Sequence, residues 1–146
     1  RGKGAEMMAV AEIAGGGKGV DSTSSSNEAL DAAKSIATMN NIIVAVTGET
    51  DYVTDGKQTY SISGGHEMMT KVTATGCALT CLIGAGIAVG KDKLLSTASI
   101  IAIYGLAGEM ASKTSAGPGS LRVNLLDNLS NLTSKQVLEN VIIQNV

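Results

Sequence analysis

Residues 42–46 read "IIVAV", a continuous apolar run with no polar residue between its members. A half-exposed strand alternates apolar and polar residues, whereas a strand covered on both faces, as in a parallel sheet, is apolar throughout. The run therefore predicts a strand that is covered on both faces, as in a parallel sheet. The sequence before and after this strand favours a fold of the α/β class.

Two helices are predicted before the strand. Residues 4–14 place apolar side chains at helical spacing and end at "GGGKG" (15–19), where glycines terminate a helix and permit an unusual loop. Residues 26–40 open with Ser and Asn as cap residues and carry Glu28 in the first turn. Their apolar residues then repeat along one face, which indicates an amphipathic helix.

The segment after the strand predicts a hairpin. Residues 51–63 alternate apolar and polar side chains around Asp55-Gly56, a dipeptide typical of two-residue hairpin turns. We expect this hairpin to form an antiparallel edge of the sheet.

Helices dominate the remainder of the chain. The pattern predicts a buried helix from Gly76 to Val89, a long helix over 91–115, another over 120–132 and a short amphipathic tail. Helices that alternate with strands early and dominate late favour an α/β fold with a parallel sheet. The length and the 44% hydrophobic content suit one domain over residues 1–146.

Charge and aromatic content argue against a nucleic-acid partner. Lys+Arg total 11 against 13 Asp+Glu without a basic run, and aromatic residues make up only 2% of the chain. A phosphate backbone therefore has nothing obvious to bind, and stacking platforms for bases are scarce.

The cysteines and the apolar stretches predict the cellular location of the protein. Cys77 and Cys81 lie four residues apart in a predicted helix, where a disulfide would need distortion, so a reducing, cytoplasmic setting is expected. The longest weakly apolar stretch, 77–90, is shorter than the roughly 20 residues that cross a bilayer, so no membrane span is predicted. The chain opens with Arg1 instead of Met, which predicts a processed start or a missing N-terminal part.

Two tempting nucleotide motifs fail on spacing. A P-loop has a glycine five residues before its Gly-Lys pair. The Gly-Lys pairs of this chain begin at Gly17 and Gly90, and the residues five positions earlier are Glu12 and Ala85. The glycines of "GAGIAVG" (84–90) have the wrong interval for a dinucleotide fingerprint and lie within a predicted helix.

A better candidate is "TATGC", residues 73–77, where a helix is predicted to begin. Small residues there let the N–H groups of Ala74, Thr75, Gly76 and Cys77 point the same way, and the helix adds its positive end. Such an anion hole suits phosphoryl transfer, because it supplies donors to the charge on the transferred group. The alternative is a glycine-containing helix start that serves tight packing, with Cys77 as a small buried hydrophobe.

Four blocks in order carry a family resemblance: "GGGKGVDS" (15–22), "VTGETDYVTDG" (46–56), "GGHEMMTKVTATGCALT" (64–80) and "GPGSLRVNLLDNL" (117–129). Together they resemble the C-terminal half of hydroxyethylthiazole kinase, an enzyme of thiamine salvage. The resemblance implies a ribokinase-like three-layer αβα fold with a mostly parallel sheet, of which the N-terminal half is absent. It also implies a homotrimer with active sites between subunits, and transfer of the ATP γ-phosphate to 4-methyl-5-(2-hydroxyethyl)thiazole with Mg²⁺.

The resemblance also implies roles for individual residues. ATP would be contacted by Arg1 and Thr47, and Glu6 would lie near Mg²⁺ and the phosphates. The backbone of Ala74 would lie against the thiazole. Gly76 and Cys77 would complete the anion hole, and Cys77 occupies the position where related sugar kinases have an aspartate base.

Two departures from the family pattern bear on these roles. Lys3 replaces the usual Asn of "RGN-x-x-E", and a cation there would compete with Mg²⁺. Ala74 replaces the usual first glycine of "TG-x-GC", which costs on the order of 1 kcal/mol if the residue needs a positive φ and little otherwise.

Lower-ranked candidates and other functions stay open. His66, Lys18, Asp21 and Lys71 either line the site or are solvated loop residues. An ATP-dependent NAD(P)H-hydrate dehydratase or a sugar or pyrimidine kinase on the same fold would usually carry Asp at position 77. A non-catalytic nucleotide-binding relative is the third class, and the Lys3 departure and the missing half keep it open.

Overall fold

The computed structural model describes residues 1–13 and 26–146. The predicted glycine loop, with Lys18 and Asp21, lies outside these residues. In chain order the elements are β1 (Gly2–Lys3), α1 (Gly4–Ile13), α2 (Ser26–Asn40), β2 (Val44–Thr47), β3 (Asp51–Thr54), β4 (Thr59–Ser63), a 3-10 turn (Glu67–Lys71), α3 (Thr75–Val89), α4 (Lys93–Ser112), α5 (Pro118–Asn131), α6 (Ser134–Asn140) and β5 (Ile142–Asn145). The predicted helices and the strand at 42–46 are therefore present, with ends shifted by a few residues.

The strands form one sheet in the order β1-β2-β3-β4-β5. Among the described strands only β1 and β2 pair in parallel, and the other three pairings are antiparallel. The expectation of a mostly parallel sheet is thus wrong for the strands of this chain. The connections at 48–50 and 55–58 are too short for the crossover that a parallel neighbour requires.

Helices cover both faces of the sheet. Val44 and Val46 point into a cluster with α1 and α2, whereas Ala45, between them, points into a cluster with α4 and α5. The second cluster also holds Val53 and Ile62 from the neighbouring strands. This division confirms the expected three layers, and it explains why "IIVAV" carries no polar alternation.

The predicted hairpin is present, with a turn of four residues (55–58) instead of two. The Asp55 carboxylate accepts hydrogen bonds from the backbone N–H groups of Gln58 (2.7 Å) and Lys57 (2.8 Å). These bonds, that of Gln58 foremost, hold the pKa of Asp55 below its ordinary value. Gly56 takes the positive φ of +91° that the turn requires.

The hairpin is not the edge of the sheet, because β5 pairs with β4. The sequence predicted only an amphipathic tail in this region. The tail instead forms the helix α6 and then the strand β5, whose residues Ile142–Asn145 show no clear alternation of burial. Pairing with β4 therefore defines this strand more than its own pattern does.

Helix α3 was predicted to be buried and is mostly exposed. Leu79 is its only buried residue, and Leu82 and Ile83 pack partly against the core beside α4. The alanines and glycines that gave the segment its apolar character lie mostly on the outer side of the helix.

Helix α4 is the central helix of the core. Its buried residues include Leu94, Ala98, Ile101, Tyr104 and Ala107. Among the described residues it is the one helix long and apolar enough to cross a membrane, and more than half of that stretch is buried within the fold. The sequence prediction considered only the shorter stretch at 77–90 and overlooked α4.

Candidate active site

The turn into α3 leaves backbone donors available. Ala74 is the N-cap of the helix, with φ 71° and ψ 5°, and no side chain caps it. The first helical bond runs from the Ala78 N–H to the Ala74 carbonyl at 2.9 Å. The N–H groups of Thr75, Gly76 and Cys77 precede this bond, so they have no partner within the helix. These are three of the four N–H groups named for the predicted anion hole, which stays a prediction.

The left-handed conformation of Ala74 answers the question raised by its departure from the family glycine. A positive φ is costly for an alanine because its Cβ approaches the backbone. The structure therefore fulfils the condition under which the extra methyl is unfavourable.

Hydrogen bonds to neighbouring residues fix the turn. The Thr75 hydroxyl donates to the Val72 carbonyl at 3.2 Å and lies 3.4 Å from that of Met69. Nδ1 of His66 accepts from the Met68 N–H at 3.2 Å and so caps the 3-10 turn. His66 thus has a structural partner, and Lys71, the last residue of that turn, is exposed.

Arg1 reaches this turn from β1. Its Nη2 donates to Oγ1 of Thr47 at 2.8 Å, which the parallel pairing of β1 with β2 brings close. A Cβ at Gly76 would lie 2.9 Å from Nη1 of Arg1 and 3.0 Å from Nη2. The guanidinium therefore packs directly against Gly76, where a larger residue would displace it. The structure brings together three of the predicted site residues.

The site carries concentrated positive charge. The guanidinium of Arg1 lies beside the N-terminus of α3, where the helix dipole already favours an anion. The carboxylate of Asp51 partly offsets this charge. Burial raises the pKa of Asp51, whereas the hydrogen bond from the Gly48 N–H at 2.9 Å and the charge of Arg1 lower it less strongly. A bound anion would relieve the repulsion between Arg1 and the helix end.

Tyr104 contacts the turn from the core. Its hydroxyl donates to the Thr75 carbonyl at 3.0 Å, and only 4% of its surface is exposed. Burial raises the pKa of Tyr104, and the charge of Arg1 acts in the opposite direction. Sequence patterns missed Tyr104 and Asp51. Asp51 lies inside a block that carried the resemblance, whereas nothing distinguished Tyr104 within an apolar helix.

Glu6 lies apart from these contacts. It is exposed in the first turn of α1, where its Oε2 accepts from the Lys3 N–H at 2.6 Å. In residues 1–13 and 26–146 no three His, Cys, Asp or Glu side chains form a group that could hold a metal ion. Mg²⁺ is commonly held by one or two carboxylates together with substrate phosphates, so a single Glu6 fits that kind of site.

Cys77 is exposed at the third position of α3. The alternative of a small buried hydrophobe is therefore wrong within this chain. The side chain stands in the first turn, next to the backbone donors.

Together the fold and site define an α/β protein in which an arginine faces the uncapped, positively charged start of a helix. Residues 1–135 match the model of the hydroxyethylthiazole kinase family. The chain belongs to that family, which confirms the resemblance found in its sequence.

Similar proteins come from distant organisms. The hydroxyethylthiazole kinase of Leptospira interrogans serovar Lai is 47% identical over 136 residues, which cover 93% of this chain and 51% of that protein. Hydroxyethylthiazole kinases of Granulibacter bethesdensis and Zea mays are 50% and 43% identical, covering 92% and 97% of this chain and 49% and 52% of their own lengths. The chain spans about half the length of these relatives.

A solved structure is similar in the same way. The hydroxyethylthiazole kinase of Pyrococcus horikoshii OT3 superposes with a TM-score of 0.85 and 33% sequence identity. The superposition covers 97% of this chain and 52% of that one. The ribokinase-like α/β fold expected from the resemblance is therefore confirmed, with the chain corresponding to half of it.

Proposed function

We propose that the complete protein carrying this chain is a hydroxyethylthiazole kinase. It would transfer the γ-phosphate of ATP to the hydroxyethyl group of 4-methyl-5-(2-hydroxyethyl)thiazole. The observation that carries this proposal is the packing of the Arg1 guanidinium against Gly76, beside the free N–H groups that open α3. Membership of the family names the substrates that this arrangement would serve.

Each residue has a role that follows from its place. The N–H groups of Thr75, Gly76 and Cys77 would donate to the charge on the transferred phosphoryl group. Arg1, held by Thr47, would bind phosphate oxygens and keep them in line with the attacking alcohol. The exposed backbone of Ala74 would border the thiazole. Direct in-line transfer needs no covalent enzyme intermediate.

Mg²⁺ and assembly complete the proposal. When bound, Mg²⁺ would supply positive charge that offsets the charge of the phosphates. Among the described residues Glu6 is the carboxylate that would hold it. We also propose a cytoplasmic homotrimer whose active sites lie between subunits. The exposure of α3, including Val89 at 87%, leaves an apolar helix available for such a contact.

The test is ADP release by the complete protein with Mg-ATP, measured with and without the thiazole alcohol, with the product identified by mass. We expect ADP and phosphorylated thiazole in equal amounts, and only when the alcohol is present. ATP binding without turnover would overturn the proposal in favour of a non-catalytic nucleotide-binding relative. Turnover with a hydrated nicotinamide nucleotide alone would favour the dehydratase.

Cys77 offers a sharper test of the mechanism. Because the backbone N–H groups supply the anion hole, Cys77→Ala should keep measurable activity. Cys77→Asp should retain or raise kcat, because an aspartate can accept the alcohol proton directly. Complete loss in the alanine variant would show that the thiol itself is required.

A further inference from the structure

The feature that goes beyond the proposed function is the hydroxyl group of Tyr104. This side chain projects from α4, is 4% exposed, and lies in the same hydrophobic cluster as Leu79. Its hydroxyl donates to the Thr75 carbonyl at 3.0 Å, between residues 29 positions apart in the chain. The core therefore contacts the turn of the candidate site through this hydroxyl.

The position of this contact is significant because of peptide geometry. The Thr75 carbonyl and the Gly76 N–H belong to one planar peptide unit, in which the two groups point in opposite directions. A further bond to the carbonyl, beside its helical bond, therefore restrains the direction of the Gly76 N–H more tightly. Hydrogen bonds in series also polarise one another, so a donor on the carbonyl makes the N–H a stronger donor.

We propose that Tyr104 is a positioning residue that orients and polarises the Thr75–Gly76 peptide, so that the Gly76 N–H donates to a bound phosphate group. The inference deepens the proposed function and rests on it for the identity of the phosphate. Arg1 packs against Gly76, so the tyrosine of the core and the cation both contact residues of this peptide unit.

The hydroxyl is not needed to complete the helix. The carbonyl of the first residue of an α-helix, here Thr75, accepts a hydrogen bond from the N–H four residues later. The Tyr104 hydroxyl donates to the second lone pair of that carbonyl oxygen. Removing the hydroxyl therefore leaves the carbonyl with its helical bond, and the ring can remain in the core. We expect Tyr104→Phe to fold.

Helix α4, which carries Tyr104, also contacts the loop that precedes the turn. Glu109 accepts the Gly65 N–H at 2.9 Å, and a Cβ at Gly105 would lie 3.2 Å from the nitrogen of Gly65. These contacts position the loop whether or not Tyr104 carries a hydroxyl. Tyr104→Phe therefore isolates the one peptide unit of the proposal.

The experiment compares Tyr104→Phe with Tyr60→Phe in the complete protein. Tyr60 also packs partly against the core, and its hydroxyl accepts from Nε2 of Gln58 at 2.9 Å, away from the site. We expect kcat to fall about 3- to 10-fold in Tyr104→Phe, the range of one neutral hydrogen bond, with KM for the thiazole alcohol unchanged. Tyr60→Phe should keep the kcat of the parent protein.

A second readout is the amide resonance of Gly76 in NMR spectra during titration with inorganic phosphate. We expect phosphate to move this resonance in the parent protein, and Tyr104→Phe to reduce both the movement and the phosphate affinity about 3- to 10-fold. Unchanged phosphate affinity and an unchanged Gly76 resonance would overturn the proposal, as would an equal fall of kcat in both variants.

The two readouts separate this inference from the proposed function. If the parent protein phosphorylates no thiazole alcohol, the proposed function fails, and the phosphate titration still decides the role of Tyr104. If the parent turns over and Tyr104→Phe matches it in kcat and titration, the kinase stands and the positioning role is wrong.

Discussion

The helices α3 and α4 begin in opposite ways. At α4 the carboxylate of Asp92 accepts the Leu95 N–H at 3.0 Å, so a side chain satisfies a donor of the first turn. At α3 the cap residue is Ala74, which has no side-chain acceptor and takes a left-handed φ of 71°. The guanidinium of Arg1 packs against this helix start, and its charge has the sign that a helix N-terminus repels.

We infer from the difference that the start of α4 is built for stability and the start of α3 for a ligand. A side-chain cap contributes roughly 1 kcal/mol, and α4 has one while α3 lacks it. A cation beside an uncapped N-terminus adds repulsion, which an anion bound between them would remove. We therefore expect mutations at the start of α3 to change activity without a matching loss of stability.

Arg1 should give the largest effect. Arg1→Met removes the cation and its donors, and we expect kcat/KM for ATP to fall about 10²- to 10³-fold, the range for loss of one preorganised donor. Thermal stability should stay the same or rise, because the repulsion at the start of α3 disappears. Steady-state kinetics and thermal unfolding measure the two effects.

The matched control for this change is Arg122→Met, at an exposed arginine of α5. It should leave kcat/KM within twofold of the parent protein. A similar loss in both variants would mean that total charge, and not the place of Arg1, determines activity.

Gly76 should give the second effect. Gly76→Ala places a Cβ within 3.2 Å of the Arg1 guanidinium, which must then move, and a misplacement of about 1 Å can cost up to about 100-fold in rate. Alanine is also the better helix former, by about 0.5–1 kcal/mol. We therefore expect a protein that is no less stable and yet 10- to 100-fold slower.

Gly84→Ala in the same helix is the control, because a Cβ there meets no atom within 4 Å. It should bring the same gain in thermal stability without loss of activity. If both variants keep full activity, the contact between Arg1 and Gly76 has no part in catalysis.

The fold was easier to predict than the site, for a physical reason. Helix and strand signals such as "IIVAV" are local periodicities, and they survive in the structure. The strand β5 and the pairing directions depend on contacts between distant segments, which periodicity does not contain. Tyr104 is likewise defined by its neighbours in space, whereas Arg1 and Gly76 lie in motifs that the family resemblance carries. Asp51 lies in such a motif too, but its contact with Arg1 is visible only in the structure.

Ala74 should give a smaller effect, on stability. Ala74→Gly removes the steric cost of a positive φ, and we expect the free energy of unfolding to rise on the order of 1 kcal/mol. The control is Asn41→Gly, at the other described non-glycine residue with positive φ (52°), because asparagine tolerates that conformation better. A larger gain at position 41 than at 74 would contradict the assignment of strain to Ala74.

The smallest effect concerns pH and the carboxylate beside Arg1. Burial raises the pKa of Asp51 above its ordinary 3.8, so the folded state loses stability as pH rises from 3.8 through the raised value. Asp51→Asn removes this loss. Its stability relative to the parent should therefore increase as pH rises through that window, as measured by denaturant unfolding at a series of pH values.

Asp55 in the hairpin turn should change stability with pH in the opposite direction. Backbone hydrogen bonds lower its pKa, so its contribution to stability is complete above 3.8 and is lost as pH falls through the lowered value. Asp55→Asn should therefore be less stable than the parent above 3.8, and the difference should shrink in acid. Parallel pH profiles for the two variants would show that burial does not dominate at Asp51, and that the Arg1 charge and the Gly48 bond outweigh it.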